Sequence, residues 1–116
     1  MRSNGTTIII VQPSPFTYRH RNRIIEFLTN QGLGTICAWP PGPREGALIG
    51  YGPDYSDIYR RAGSYISRIL NGENPADLPV QNPVRFQLVI NQDTASALNL
   101  NVPAALLMSA HEVIQK

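Results

Sequence analysis

A single cysteine, Cys37, in 116 residues excludes an internal disulfide framework and a multi-cysteine metal site. It sits in an apolar run, which reads as a buried, inert thiol. Histidine is nearly as scarce. His20 and His111 stand about ninety positions apart, outside any His-x-x-x-His spacing, and read as surface side chains. Charge is sparse at 16% and nets only +2, which lacks the concentrated basic face of a nucleic-acid binder. The one basic run, Arg19-His20-Arg21-Asn22-Arg23, spreads around the exposed side of a helix and reads as a solvated face. No stretch approaches the roughly 18–20 apolar residues that span a bilayer. The start, Met1-Arg2-Ser3-Asn4-Gly5, is too short and polar to lead a secretory signal peptide. There is no phosphate loop and no dinucleotide fingerprint, and Ser14 and Ser109 lack a nucleophile-elbow context. No catalytic residue, metal set or cofactor is therefore expected.

What remains is an ordinary globular composition, 42% hydrophobic, long enough for one compact domain. Thr6 to Val11 is a β-branched run that fits a strand buried on both faces. Ser14 followed by Pro15 predicts a capped helix start. Ile24, Ile25, Phe27 and Leu28 supply its apolar stripe, and Gly32 its left-handed stop. Gly34 to Trp39 reads as a second strand, so the first third of the chain is a strand–helix–strand crossover unit. Pro40-Pro41-Gly42-Pro43 is a stiff loop, and Ala47 to Tyr51 a third short strand. Asp54 caps the next helix, on which Ile58, Ala62, Tyr65, Ile66 and Ile69 share one face; Asn71-Gly72 stops it. A long polar connection runs from Glu73 to Pro83. Phe86 to Ile90 forms a further strand, Asn91 caps a short helix through Leu98, and Pro103 opens a last helical segment toward Ile114. The order β-α-β-β-α-β-α-α defines the class as α/β. Two long helices over only about four short strands suggest a piece of something larger, or a unit completed by a second copy.

One segment combines features of a binding site. Tyr51, Gly52, Pro53, Asp54 and Tyr55 lie between the carboxyl end of a strand and the amino terminus of a helix. In α/β folds, free backbone N–H groups and a positive helix dipole converge at such places. The two tyrosines offer aromatic surface, and Asp54 a partner for a ligand ammonium group. A plainer reading stays open beside this one: the glycines only make the turn and Asp54 only caps. Asp54 and Asp57 together read as capping and dipole compensation rather than as an acid–base pair.

The segments Leu48-Ile-Gly-Tyr-Gly-Pro-Asp-Tyr-Ser-Asp-Ile-Tyr-Arg-Arg-Ala through Gly72, Asn74-Pro-Ala-Asp-Leu-Pro-Val80, Phe86-Gln-Leu-Val-Ile-Asn91 and Thr94-Ala-Ser-Ala-Leu98 form a recognisable series. Together they resemble the carboxy-terminal part of ABC-transporter substrate-binding proteins of the tryptophan/tyrosine type. In those a Tyr-Gly-Pro turn leads a Tyr-Arg-Arg-Ala helix, followed by a Pro-Ala-Asp-Leu-Pro-Val linker and a Phe-x-Leu-Val-Ile-Asn strand. Asn71 stands here where the family usually has lysine, and Pro40 to Arg44 with Gly46-Ala47 replaces a longer segment ending in Ala-Gly-Gly.

The resemblance implies a partial periplasmic-binding-protein type I (Rossmann-like) lobe within a two-lobe fold with three hinge crossings. Residues 6–51 would belong to the second lobe, and residues 52–83 would supply a helix and linker on the first-lobe side. Residues 84–116 would supply the return strand and final helices. The 50–54 turn would then border a ligand cleft. Family members are longer and begin with a signal or lipoprotein peptide, so this chain would lack the first lobe and half of the second. The Ile58–Ile69 face would then be bare and would drive self-association, by exchange of that helix between copies.

The implied function is non-enzymatic capture of a small organic ligand such as an aromatic amino acid, by lobe closure, with an ABC permease as partner. Periplasmic location follows from the resemblance; the absence of a visible signal peptide leaves a cytoplasmic location open. The alternative is a truncated remnant that binds nothing and serves only as an oligomeric structural or interaction domain. A small α/β enzyme or sensor domain would need a nucleophile, metal set or cofactor loop that the sequence does not show.

Overall fold

A computed structural model describes Gly5 and residues 7–116. Thr6, expected to open the first strand, lies outside the described residues, as do Met1 to Asn4. Among the described residues five strands form one sheet in the order β1 (Ile8–Val11), β2 (Gly34–Cys37), β3 (Ile49–Pro53), β4 (Phe86–Asn91) and β5 (Glu112–Ile114). β1 pairs β2, β2 pairs β3 and β4 pairs β5, all parallel. Along β3 and β4, Asn91 N donates to Leu48 O and Asp54 N donates to Arg85 O. Residue numbers rise on one strand as they fall on the other, so this pair runs antiparallel. The protein is thus α/β with a mostly parallel sheet.

The chain divides into two compact units. The described residues through Gly52 together with Gln87–Lys116 make the first, and Pro53–Phe86 the second. The first holds the core: Val11, Ile25, Leu28, Leu33, Cys37, Trp39 and Ala47 pack together, with Ile9 and Ile24 against them. Ser14 caps α1 (Pro15–Arg19) in a reciprocal capping box with Thr17, as Ser-Pro at a helix start predicts. The helix expected to run on to Gly32 is broken at His20, and α2 (Arg21–Asn30) continues it. Gly32 stops it at φ 70°.

Several expectations are corrected. β1 is not buried on both faces: Ile8 and Ile10 are 40% and 64% exposed, because β1 is an edge strand with one open face. Phe27, placed in the apolar stripe of α2, is 58% exposed, and Ile25 and Leu28 carry the burial instead. The stiff loop at Pro40–Pro43 leads into a turn of 3-10 helix, Gly42–Glu45, ended by Gly46 at φ 102°. The terminal helix stops early. After α4 (Gln92–Ala97), α5 covers only Ala104–Ser109, and Ala110 turns to extended geometry. Glu112–Ile114 then pairs β4 from Val89 to Asn91. A three-residue strand carries almost no periodic signal, and its pairing with β4 decided its state over local propensity.

The second unit is α3 (Tyr55–Leu70) and the connection that follows it, which includes a 3-10 turn at Pro75–Asp77. Gly72, at φ 96°, ends the helix as expected. In this unit the only buried side chain is Asp57. Ile58 and Tyr65 are half-buried, and Tyr65 Oη donates to Pro79 O at 2.6 Å.

Candidate ligand-binding site

The segment from Tyr51 to Tyr55 is positioned by two local structures. In the first unit, β3 alternates with period two: Gly50 and Gly52 are buried and Tyr51 is 54% exposed. Neither glycine has positive φ among the described backbone, so neither makes a turn. They are required by close approach instead. A Cβ on Gly50 would meet Pro43 Cδ at 2.6 Å, Pro40 O at 2.7 Å and Trp39 O at 2.8 Å; one on Gly52 would meet Ala38 O at 2.6 Å. The expectation that the glycines shape a corner is thereby replaced by a packing role.

In the second unit, Pro53 is half-buried and Asp54 is the N-cap of α3. Its Oδ1 accepts from Ser56 N at 2.9 Å and Asp57 N at 3.2 Å, satisfying two free amides of the first turn. Both bonds fall on one oxygen, so Oδ2 takes neither. Tyr55, the first helical residue, is 44% exposed.

Asp57 does more than compensate the dipole. Its carboxylate, 7% exposed as a residue, meets Arg61 Nε at 2.9 Å, Arg60 at 3.6 Å and Arg85 at 3.8 Å. A lone buried carboxylate is costly, and three guanidiniums offset that cost. The signal was present in the spacing Asp57-x-x-Arg60-Arg61, an i, i+3 and i+4 pattern; Arg85 could not be placed from sequence.

Two grooves are lined by other residues. One, of about 310 Å³, is formed by Ile58, Arg61, Ala62, Tyr65 and residues 81–83 in the second unit. The other, of about 490 Å³, lies on α1 and α2 in the first, lined by Phe16, His20, Arg23, Ile24, Phe27 and Leu28.

The remaining candidates have structural roles. Cys37 is fully buried, and burial pushes its thiol up to about 11. His111 Nδ1 accepts from Leu88 N at 3.2 Å beside the β4–β5 pairing, and the His20 ring lies 4.7 Å from that of Phe16. From the basic run, Arg21 is held by Glu45 at 2.8 Å and lies 4.5 Å over the Tyr18 ring; the Glu45 hydrogen bond raises its pKa above the ordinary value. Ser14 is spent on its cap, and Ser109 Oγ donates to Leu106 O. Among the described residues no three His, Cys, Asp or Glu side chains gather as a metal site. Among the same residues no helix is long and apolar enough to cross a membrane.

The α/β sheet, left through β3 and re-entered through its antiparallel neighbour β4, has the periplasmic-binding-protein type of fold found in solved neighbours. Comparison with known proteins gives the same result: residues 1–114 match the family model for ABC transporter substrate binding protein, and the chain belongs to that family. A curated relative, the tyrosine-binding protein of Clostridioides difficile strain R20291, is 31% identical over 78 residues, covering 66% of this chain and 23% of its own length. A crystal structure of a conserved domain protein from Vibrio cholerae O1 biovar El Tor matches 95% of this chain and 37% of its own, at TM-score 0.89 and 24% identity. The crystal structure of an ABC domain in complex with L-Trp from Streptococcus pneumonia matches 92% of this chain and 36% of its own, at TM-score 0.84 and 23% identity. The chain therefore spans about a quarter of the curated relative and little more than a third of the solved chains.

Proposed function

We propose that this chain is the carboxy-terminal part of a solute-binding component of an ABC transporter, and that its ligand is an aromatic amino acid. The observation that carries the proposal is the family match along residues 1–114, joined to 31% identity with a tyrosine-binding protein. The L-Trp held by a structural neighbour supports the same ligand class. In this reading Tyr51, Gly52, Pro53, Asp54 and Tyr55 contact the ligand. The exposed tyrosine rings stack on its aromatic part, and Asp54 Oδ2 pairs with its ammonium group. The first unit corresponds to part of one lobe of the binding protein, and Pro53–Phe86 to a segment contributed to the other. The complete protein works outside the cytoplasm and hands its ligand to a membrane permease. Binding, without covalent chemistry, is the whole of the activity.

Thermal unfolding in the presence of L-Tyr, L-Trp and, as controls, L-Leu and L-Glu tests the proposal. A ligand at about ten times its Kd adds roughly 1.4 kcal/mol, a rise of roughly 5 °C in Tm for a domain of this size. The aromatic amino acids should raise Tm and the controls should not. Flat curves across the panel would overturn the proposal for this chain and favour a purely structural role. Asp54→Asn sharpens the test, because asparagine caps a helix as well as aspartate does but carries no charge. The variant should keep the ligand-free Tm and lose most of the ligand-induced shift.

A further inference from the structure

The loop from Pro40 to Glu45 is stiff, yet it has little of its own with which to hold on to the sheet. Pro40, Pro41 and Pro43 have no N–H. Its main-chain bonds are local: Gly42 N donates to Trp39 O, Arg44 N to Pro41 O and Gly46 N to Pro43 O. Attachment to neighbouring elements therefore falls to side chains. Asn91, at the end of β4, supplies the buried one. It is 8% exposed; its Nδ2 donates to Pro43 O at 2.8 Å while its Oδ1 accepts from Thr94 N at 2.9 Å. Thr94 Oγ1 in turn donates to Gly46 O at 3.1 Å. Both ends of the 3-10 turn are thus tied to the corner between β4 and α4. The ion pairs Arg21–Glu45 and Arg44–Glu112 hold the same turn, but they are partly exposed, and such pairs contribute less.

Behind that turn stands the end of β3. Trp39, Pro40 and Pro43 form the wall against which Gly50 lies with no room for a Cβ, and Ala38 O does the same at Gly52. Tyr51, between the two glycines, projects from the opposite side of the strand. The main chain of Asn91 holds the same strand, donating to Leu48 O at 2.9 Å. One residue thus fixes β3 by its backbone and the wall behind β3 by its side chain. We propose that Asn91 is a positioning residue for ligand binding. By anchoring Pro43 it sets how far the end of β3 stands forward, and so where the Tyr51 ring meets a bound aromatic amino acid. This role rests on the ligand reading above for what Tyr51 touches, and on the first unit alone for its geometry. Stacking is sensitive to such placement, because a contact that is loose by a fraction of an ångström forfeits much of its dispersion attraction. A helix cap alone would not call for asparagine, since Ser or Asp serve as well. The amide places a donor for Pro43 O beside the acceptor for Thr94 N on one side chain.

Asn91→Ser in the 116-residue chain tests the role, because serine keeps the cap of α4 but is too short to reach Pro43. Two spectroscopic readouts follow the native state rather than its stability. Trp39 is the single tryptophan, 4% exposed and beside the turn, and acrylamide should quench it more readily in the variant. The ring resonance of Tyr51, in protein carrying isotope-labelled tyrosine, should shift, while those of Tyr59 and Tyr65 on α3 should stay. Titration calorimetry with L-Tyr should show a dissociation constant raised roughly three- to tenfold, the worth of one aromatic contact. Far-UV circular dichroism checks that the variant is folded. If Asn91→Ser does not fold, Thr94→Val takes its place, since it releases Gly46 O; Thr94→Ser, which keeps the hydroxyl, should restore wild-type behaviour. Unmoved Trp39 and Tyr51 signals in a folded variant would overturn the role, and so would an unchanged L-Tyr dissociation constant beside a shifted Tyr51. A wild-type chain that binds no L-Tyr fails the ligand reading instead. Shifted signals would then still uphold Asn91 as the anchor behind Tyr51, and unshifted ones would overturn it.

Discussion

Buried sulfur and crowded backbone set the behaviour of single residues. Cys37 has no exposed surface, and desolvation of its thiolate pushes the pKa from the usual value of 9.0 up to about 11. Native protein at pH 8 should therefore leave a thiol reagent such as Ellman's uncoloured, and denaturant should release one equivalent. The same shift fixes a pH dependence. Between pH 9 and about 11 the unfolded thiol ionises while the folded one stays protonated, so the native state holds the extra proton and stability falls with rising pH. Cys37→Ala should flatten the decline in that window. Gly50 makes a second residue-scale prediction. Two of the three atoms that would meet its Cβ are backbone carbonyl oxygens, which cannot swing aside as a side chain does. Gly50→Ala should cost about 3 kcal/mol, at the upper end of overpacking penalties, measured as a lower urea midpoint at unchanged slope. Neither effect was fully legible in the sequence. The apolar neighbours of Cys37 announced its burial. Gly50 sits in a strand where glycine signals either a bulge or a close approach, and nothing local distinguishes the two.

Elements were legible in proportion to how much of their cause is local. Caps are local: Ser14, Asp54 and Asn91 each act as their side chains predict, and Gly32 and Gly72 end helices at positive φ. Pairing is not local, so β5 was missed; three residues joined β4 because its far edge was open. The break at His20 had no proline or glycine to announce it. The candidate site shows the same limit: the tyrosines and the Asp54 cap could be read, but the Asp57 cluster depends on Arg85 from a distant part of the chain. That cluster carries the prediction for α3. Removing a buried carboxylate normally costs about 3–5 kcal/mol because its partners are stranded. Here the partners' side chains are 35% to 71% exposed and can turn to water, and exposed pairs contribute little. Asp57→Ala should therefore cost only about 1–2 kcal/mol, seen in denaturant unfolding, and Asp57→Asn somewhat less.

Over the whole molecule, stability is unevenly distributed. The first unit contains the apolar core, from Val11 through Ala47, with Val89, Ile90 and Ala95 also buried. Among the described residues, the second contains half of the large hydrophobic side chains that remain exposed, Tyr55 through Phe86, although it is the shorter of the two. Opening free energies follow buried apolar surface, so α3 should open far more readily than the sheet. Native-state hydrogen exchange should show amides of β2 and β4 protected at the level of global unfolding, and the middle of α3 exchanging orders of magnitude faster in dilute protein. Equal protection of α3 and β2 in dilute wild-type protein would show instead that the helix has enough cover within one chain.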